Sequence, residues 1–458
     1  MSLRGFLATI LLCSAHAAWA APAANRDVER ALFKKVVEIP TVLGRGEMPK
    51  LTALLSEEFR KVGITNVIVK DHDRTQTLIA RWPAARPSGK KPILLMAHMD
   101  VVEANRADWK YDPFTFREEG GYYLGRGSND NKAPLVGILL ALQNLKQSGY
   151  QPSRDIIVLF TGDEETSGNG ARRAASEWRA LIDAEYALNG DAGGGTLYKD
   201  GRVEAFYIQI AEKTYADYKL TATNRGGHSS RPRPDNAIYA LAGALKAVEA
   251  HRFEPMINAA SRAYFERVAA NDTGGYGELI RKWLSDPSDR ETADLLEAND
   301  PGYTRTRCVA TQISGGHAPN ALPQKAEANV NCRIFPGVKI EEVRQSLQAL
   351  AGPDVKVELV DSGPESGVSP LRPDVVEAYE AAIAKRFRNA PVVPFMEAGG
   401  TDGAFLRNAG IPVYGVGGLW GIANESGGAH GLDERVLVEG FHGQIAIWEE
   451  LIRRVSDR

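Results

Sequence analysis

The chain has 458 residues, of which 43% are hydrophobic and 25% are charged, and its formal net charge is -3. This balance is typical of a globular protein and argues against a strongly basic surface that binds nucleic acid or an anionic membrane. The length exceeds the size at which one hydrophobic core keeps growing, so we expect two domains.

The first twenty residues have the organisation of a secretory signal peptide. A basic residue, Arg4, precedes an apolar run at residues 6–13, and Ala-Trp-Ala at residues 18–20 provides a small-x-small cleavage site. Removal of residues 1–20 would leave a periplasmic or secreted protein with no membrane association. An uncleaved anchor is the alternative, although the apolar run is shorter than the roughly 20 residues that a spanning helix needs.

The first half of the chain predicts alternating helices and strands. Two helices are expected within residues 25–63, and their predicted core-facing residues are Val28, Leu32, Val36 and Val37 in the first helix and Leu51, Leu54, Leu55 and Phe59 in the second. Further predicted elements are strands at 67–69, 77–81, 92–97 and 155–161 and a helix at 133–148. Such alternation favours a doubly wound α/β domain with a mostly parallel sheet.

A different, α+β pattern begins near residue 214. Its predicted elements are strands at 218–223, 309–313, 326–334 and 355–360, helices at 236–250 and 340–351, and a helical insert at 253–301. The α/β pattern then returns with a helix at 372–387, a strand after Pro412 and a helix at 439–455. The predicted organisation is a signal peptide at 1–20, a first catalytic segment at 21–213, a smaller lid domain at 214–362 and a second catalytic segment at 363–458.

Two cysteines remain after removal of the predicted signal peptide. Cys308 and Cys332 lie on predicted strands on either side of a loop centred near Asn320, so in an antiparallel hairpin they would face each other. An oxidising compartment permits a disulfide bond between them. Two unpaired buried thiols are the alternative, because the register could differ by one residue.

Imidazole and carboxylate side chains occur at predicted strand ends and in glycine-rich loops. His98 and Asp100 end the apolar run KPILLMAHMD; the others are Asp130 in GRGSNDNKAP, Glu164 and Glu165 in LFTGDEETSG, Asp191 in LNGDAGG, and His430 in GGAHGLDERV. Ligands of open α/β sheets gather at the carboxyl ends of the strands. Two histidines and several carboxylates suit zinc, with manganese or cobalt as alternatives, although each residue alone could be a solvated loop residue.

The order of these motifs resembles the co-catalytic zinc peptidase family that includes glutamate carboxypeptidase, aminoacylase, succinyl-diaminopimelate desuccinylase and carnosinase. The resemblance implies a zinc-exopeptidase-like catalytic domain that holds two zinc ions per chain. In it His98 and Asp191 bind one ion, Glu165 and His430 bind the other, and Asp130 bridges them.

The same resemblance implies the roles of three neighbouring features. Asp100 would orient His98, Glu164 would be the general base, and the peptide bond between Asp130 and Asn131 would be cis. Two metal ions that share a water molecule lower the pKa of that water and polarise a carbonyl group, and a nearby carboxylate can transfer its proton to the leaving nitrogen. Amide hydrolysis is the chemistry that such a centre performs best.

Substrate recognition is expected from the lid and from one loop of the second catalytic segment. The resemblance assigns substrate contacts to His228 in NRGGHSSRP, Asn320 in GGHAPNALP, Arg333 on the strand VNCRIFPG, and Gly399, Gly400 and Thr401 in EAGGTDGAF. His228 would reach the oxyanion, often from a partner subunit. For His228 the alternative is a surface-loop histidine, and for Arg333 it is an ion pair with a lid carboxylate.

The predicted activity is that of a metallopeptidase or amidohydrolase of the exopeptidase, carboxypeptidase or dipeptidase type. Its substrates would be small peptides or N-acyl amino acids. The insert at 253–301 resembles the carboxypeptidase S-like and N-acyl amino acid hydrolase branch, and its extra helices could obstruct a homodimer formed through the lid. A non-catalytic metal- or peptide-binding protein on the same scaffold is the alternative, although such a protein would be expected to lack Glu164. The chain has no G-x-S-x-G elbow of a serine hydrolase and no nucleotide-binding loop.

Overall fold

The structure is a computed structural model that describes residues 23–457, so the predicted signal peptide at 1–20 lies outside the described residues. Within this range the helices α1–α13 are, in chain order, Ala23–Val37, Met48–Lys61, Lys132–Gln147, Asn169–Ala175, Arg179–Ile182, Ala237–Ala250, Ala259–Asn271, Gly275–Ser285, Arg290–Glu297, Ile340–Ala351, Pro373–Ala384, Gly403–Asn408 and Val438–Asp457. None of these described helices has the length and apolar character to cross a membrane.

The strands β1–β19 of the same range are, in chain order, Asn66–His72, Thr75–Trp82, Ile93–His98, Arg117–Glu119, Tyr122–Leu124, Ile156–Thr161, Tyr186–Asn189, Gly194–Leu197, Val203–Glu212, Thr214–Thr223, Gly227–His228, Arg307–Gly315, Ala321–Leu322, Lys325–Ile334, Val355–Ser362, Val392–Glu397, Val413–Gly415, Trp420–Ile422 and Arg435–Leu437. The large sheet has the order β1-β2-β6-β3-β7-β17-β9-β8-β18, and β16 pairs with β9. Its centre, from β6 to β17, is parallel.

Helices cover both faces of this sheet, which explains why its central strands are continuous apolar runs. Every residue of β3 and of β6 is buried. Along β3, Leu95 and Ala97 pack in the core shared with α1, α2, α3 and α13, whereas Leu94 and Met96 pack in the core shared with α4 and α12. The predicted α/β fold class is therefore confirmed.

The smaller sheet is antiparallel, in the order β12-β14-β10-β15. Alternate residues of β14, among them Val330 and Cys332, are buried against α6 and α10, while Arg333 lies on the opposite face. Cys308 pairs with Cys332 across β12 and β14, and a disulfide bond joins them. Of the two alternatives, the bridge is confirmed.

The insert at 253–301 forms the three helices α7, α8 and α9, as predicted. Its own small core contains Phe265, Ile280, Trp283 and Leu296. Helix α7 packs against β16 and β9 of the large sheet. The insert is therefore attached to the large sheet. Strand β12 of the lid pairs on one side with β14, and the insert does not pair with its other side.

Two expectations from the sequence are incomplete or wrong. Strands β9 and β16 were not predicted, yet they pair with each other in parallel inside the large sheet. Val28 was expected to face the core, but it is 66% exposed. Instead, helix α1 buries Glu29 and Phe33, and the Glu29 carboxylate hydrogen-bonds to His442 Nδ1 at 2.5 Å.

Candidate metal centre

The candidate ligands lie at the carboxyl ends of three neighbouring parallel strands. His98 is the last residue of β3, Glu164 and Glu165 follow β6, and Asp191 follows β7. Because β3 pairs in parallel with both β6 and β7, these side chains meet at one edge of the sheet. The parallel pairing at the centre of the sheet thus brings together residues that the sequence predicted at strand ends.

One group of potential ligands contains His98, Asp130 and Asp191. His98 Nε2 lies 2.8 Å from Asp130 Oδ1 and 3.3 Å from Asp191 Oδ1. One ligand atom from each residue lies within 4.8 Å of the others, which is close enough for all three to bind one ion. His98 is almost fully buried, so it is held rigidly at the strand end.

A second group contains Asp130, Glu165 and His430. His430 Nε2 lies 2.8 Å from Glu165 Oε2 and 3.3 Å from Asp130 Oδ2. Asp130 therefore directs one carboxylate oxygen to each group. The Glu165 Oε1 atom is buried and has no hydrogen-bond partner among the described residues. A buried acceptor without a donor fits a cation, and the mixed imidazole and carboxylate donor set fits zinc.

Asp100 fixes both His98 and the loop that carries the two glutamates. His98 Nδ1 lies 3.1 Å from the backbone oxygen of Asp100 and 3.4 Å from its carboxylate. The same carboxylate accepts the backbone N–H groups of Glu164, at 3.1 Å, and Glu165, at 3.0 Å. Hydrogen bonds to the distal nitrogen of a ligating histidine set its tautomer and orientation, and these contacts are compatible with the role predicted for Asp100.

The electrostatics of the site favour a bound cation. Burial opposes protonation of His98, but Asp191, Asp100 and Asp130 raise its pKa well above the ordinary value. Burial and Asp130 raise the pKa of Glu165 to about 7, and burial and Asp191 raise the pKa of Glu164 well above the usual range. Several carboxylates in a dry site repel one another, and a divalent cation removes that repulsion.

Three site residues had no predicted role. Asn131, joined to Asp130 by a cis peptide bond as expected, donates its side-chain N–H to Asp191 Oδ1 at 2.9 Å. Buried Asp402 accepts the Thr161 hydroxyl at 2.5 Å and adds to the raised pKa of Glu164. Buried Glu434 accepts backbone N–H groups from the loop of Asp130. Only Glu434 had a signal in the sequence, since it is the acidic residue of H-G-x-x-E-R.

The residues expected to bind substrate fall into two places. Arg333 and the loop of Gly399 and Gly400 lie together, because Arg333 Nη1 contacts the backbone oxygen of Ala398 at 3.4 Å. In the described part of the chain Arg333 has no ion pair with a carboxylate, and its guanidinium lies 4.9 Å from the centre of the Tyr215 ring. The alternative given for Arg333, an ion pair with a lid carboxylate, is therefore absent from residues 23–457.

Thr401 differs from expectation in the use of its hydroxyl group. Its Oγ1 donates to the buried carboxylate of Glu212 at 2.8 Å and accepts the backbone N–H of Gly403. The hydroxyl is thus committed inside the protein and does not face a substrate. The cradle predicted at residues 399–401 is left with backbone groups as its donors.

His228 and Asn320 lie together on a short two-stranded ribbon. His228 pairs with Ala321 across β11 and β13. The backbone N–H of Ser229 donates to the backbone oxygen of Asn320 at 3.0 Å. The imidazole is exposed and contacts the hydroxyl of Ser230 at 2.8 Å. Among the described residues no hydrogen bond or ion pair joins His228 or Asn320 to the five ligands.

Two cavities adjoin these features. One, of about 310 Å³, is lined by the ligands Asp130 and Asp191 together with apolar residues that include Leu419, Trp420 and Val436. The other, of about 790 Å³, is lined by Arg333 and Ala398 together with lid residues that include Leu245, Phe253 and Val309. The first cavity adjoins the candidate ligands, and the second adjoins Arg333 in the lid.

Comparison with known proteins supports the geometry. The model of peptidase family M20/M25/M40 matches residues 94–454. N-fatty-acyl-amino acid synthase/hydrolase PM20D1.1 of Danio rerio is 27% identical over 93% of this chain and 85% of that protein. Probable carboxypeptidase S-like 2 of Dictyostelium discoideum is 27% identical over 83% of this chain and 74% of that protein.

A solved structure shows the same fold. The M20 family metallo-carboxypeptidase Sso-CP2 of Sulfolobus solfataricus superposes with a TM-score of 0.68 at 18% identity, covering 93% of this chain and 98% of that one. The family predicted from the motifs and the branch predicted from the insert at 253–301 are confirmed by these matches. The chain belongs to peptidase family M20/M25/M40 and is a hydrolytic enzyme of the peptidase and amidohydrolase type.

Proposed function

We propose that the protein is an exported two-zinc amidohydrolase that cleaves a dipeptide, a C-terminal residue or an N-acyl amino acid. The proposal rests on the position of Asp130, because one of its carboxylate oxygens faces each of the two groups of potential ligands. Zinc is favoured by the donor set, with manganese or cobalt as alternatives. Export rests on the predicted signal peptide.

The residues of the chain would divide the work of hydrolysis. When bound, a pair of divalent metal ions supplies Lewis-acid chemistry that lowers the pKa of water and polarises the scissile carbonyl. Glu164 would take a proton from the attacking water and return it to the leaving nitrogen. Burial and the charge of Asp191 raise the pKa of Glu164 in the metal-free protein, and bound cations would lower it again so that Glu164 can accept the proton. Asp100 keeps Glu164 and His98 in a fixed relation throughout.

The two cavities suggest how the substrate lies across the centre. Arg333 and the backbone at 399–400 would bind the free α-carboxylate of the leaving amino acid, whose side chain would extend into the cavity of about 790 Å³. The acyl group would occupy the cavity beside Asp130 and Asp191. The name of the Danio rerio relative, an N-fatty-acyl-amino acid synthase/hydrolase, supports N-acyl amino acids as one substrate class.

A homodimer formed through the lid would place His228 of one subunit at the site of the other. Strand β12 is the edge of the smaller sheet, and its Val309 and Ile313 are 60% and 69% exposed. An exposed edge with apolar side chains favours pairing with a second copy, and the insert helices pack on the large sheet instead of covering it. His228, which has no bond to the ligands of its own chain, would then serve the neighbouring site.

The substrate assignment is tested with matched pairs of N-acyl amino acids, one a free acid and the other its amide. The wild-type enzyme should prefer the acid, and Arg333→Ala should raise KM for the acid by about ten-fold or more, since it removes a hydrogen bond to a charged group. Arg344→Ala, on lid helix α10 and paired with Glu341, is the control and should change neither constant. An unchanged ratio of acid to amide in Arg333→Ala would refute the carboxylate assignment.

A further inference from the structure

We infer that Glu434 is a positioning residue that holds two ligand loops together and thereby sets the affinity of the Asp130, Glu165 and His430 group for its metal ion. The first loop is residues 125–131, which carries Asp130, and the second is residues 427–435, which carries His430. The inference rests on the proposed metal centre but concerns a residue that binds neither metal nor substrate.

The Glu434 side chain is fully buried, and both of its oxygens are used by the first loop. Oε2 accepts Arg126 Nη1 at 2.7 Å and the backbone N–H of Gly127 at 2.8 Å. Oε1 accepts the backbone N–H groups of Asn129 and Asp130, both at 2.9 Å. A carboxylate with four donors can remain charged in a buried site, and here one donor belongs to the bridging ligand itself.

Further bonds tie the second loop to the first. The Glu434 backbone oxygen accepts Gly125 N at 3.0 Å and the Ser128 hydroxyl at 3.1 Å. Arg126 Nη2 donates to the backbone oxygen of Gly431, the residue after His430, at 3.0 Å. Glu434 and Arg126 thus form a bridge between the residues that flank Asp130 and those that flank His430.

Each of the two loops contains a residue with a positive φ. His430 has a φ of 59°, in the left-handed region that non-glycine residues rarely adopt. Gly127 has a φ of 81°, and a Cβ there would lie 2.4 Å from Val101 Cγ1. Gly127 adopts its positive φ without strain and leaves no room for a side chain, whereas the strained conformation of His430 persists only where surrounding contacts fix it. Arg126, which Glu434 holds, provides such a contact through its bond to Gly431, the residue after His430.

The consequence should be unequal for the two ligand groups. The group of His98, Asp130 and Asp191 takes one member from these loops, whereas His98 ends β3 and Asp191 follows β7. The first loop also contacts this group through Asn131, which donates to Asp191 Oδ1 at 2.9 Å. The group of Asp130, Glu165 and His430 takes two of its three members from them. Loss of Glu434 should therefore weaken the second group more than the first.

The test is metal binding by Glu434→Gln, measured by competition with a chromophoric chelator for zinc. The amide nitrogen must face two donors in either orientation, so two hydrogen bonds are lost while the volume stays the same. Changes in such outer contacts typically cost about 10- to 100-fold in metal affinity. We expect a loss of that size for the zinc ion of the Asp130, Glu165 and His430 group and a smaller loss for the ion of the His98, Asp130 and Asp191 group.

Glu297→Gln is a matched control. Glu297 is 8% exposed and accepts the backbone N–H groups of Gly302, at 2.8 Å, and Thr304, at 3.0 Å, together with Arg307 Nη1 at 2.6 Å. It makes the same kind of contacts in the insert, where there are no candidate ligands among the described residues. This variant should lose thermal stability and keep both zinc affinities.

Three results would overturn the inference. Unchanged affinities in Glu434→Gln would contradict it, and so would equal losses in Glu434→Gln and Glu297→Gln, which would indicate general destabilisation. A wild-type protein that binds no divalent ion would refute the proposed function itself, and the inference with it. If Glu434→Gln does not fold, Arg126→Lys, which cannot reach both Glu434 and Gly431, is tested for the same loss, and unchanged affinities would again contradict the inference.

Discussion

Asp130 is the residue on which the geometry of the centre depends. Its Oδ1 approaches His98 and its Oδ2 approaches His430, so a single side chain belongs to both ligand groups. Hydrogen bonds from His430 and His98 overcome the effect of burial and lower the pKa of Asp130. The carboxylate that we propose as the bridge is therefore charged at neutral pH, as a shared metal ligand must be.

Glu164 and Glu165 are adjacent, but substitution of each by Gln should have a different effect. Glu164→Gln removes a proton acceptor without removing a predicted ligand, so we expect metal content to remain and kcat to fall by about 100-fold or more. Glu165→Gln is the matched comparison and should lose metal. Metal analysis combined with steady-state kinetics decides the matter. Metal loss in Glu164→Gln, with retention in Glu165→Gln, would show that the two roles are exchanged.

The pH dependence of metal binding follows from two raised pKa values. In the metal-free protein Glu165 has a pKa of about 7, raised by burial and Asp130, and His430 has a pKa of about 9, raised by its hydrogen bond to Asp130. Both groups must lose a proton to bind metal, so affinity rises with pH. The logarithm of the affinity for the ion of the Asp130, Glu165 and His430 group should rise by about two per pH unit below 7 and about one between 7 and 9. Competition titrations at several pH values measure this slope, and an affinity independent of pH would contradict it.

The sequence predicts residues with direct chemistry better than residues that support them. The five proposed ligands are recognisable because a metal site requires imidazole and carboxylate groups at strand ends. Glu434 lies in the same motif as His430, but its partners are backbone N–H groups of a loop more than 300 positions away in the chain, as in its bond to Asp130. No local pattern indicates those partners. Thr401 shows the reverse case, since its hydroxyl suits a substrate carboxylate but bonds to Glu212.

Strands were predictable from the sequence where all of their residues are buried. Strands β3 and β6 are apolar throughout because helices cover both faces of the sheet. Strand β16 was missed because Pro394 interrupts its sequence, and proline is tolerated there since β16 pairs on one side with β9. In α1 the apolar spacing correctly placed Leu32, Val36 and Val37 in the core, but Val28 is exposed and the neighbouring Glu29 is buried in contact with His442.

The disulfide bond between β12 and β14 should stabilise the lid. Cys308 and Cys332 are separated by 24 positions, and closing a loop of that length stabilises the folded state by about 3 kcal/mol in the chain-entropy account. Reduction of the wild-type protein should lower the unfolding midpoint in denaturant by a corresponding amount. The variant Cys308→Ala/Cys332→Ala should have a lower unfolding midpoint than the oxidised wild-type protein, and reductant should not change that midpoint. Equal stability of oxidised and reduced wild-type protein would contradict this prediction.

At the scale of the whole molecule, the chain segments before and after the lid form one sheet. Strand β7 pairs with β17, and β9 pairs with β16. His442 on α13 contacts Glu29 on α1 and the Tyr123 hydroxyl, at 2.5 and 2.9 Å. The ligands Asp130 and His430 come from the two segments, so the centre requires both. The division into domains at 213/214 and 362/363 stays a prediction from the sequence.

The central claim, that two metal ions held around Asp130 make this chain an amidohydrolase, is tested most directly by reconstitution. The protein is stripped with a chelator, its metal content is confirmed to be near zero, and hydrolysis of an N-acyl amino acid is followed as zinc is added. The account predicts no activity without metal and a rise that reaches its plateau at about two zinc ions per chain, with Asp130→Asn inactive throughout. Full activity of the stripped protein, or a plateau at one ion with no second ion bound, would contradict it.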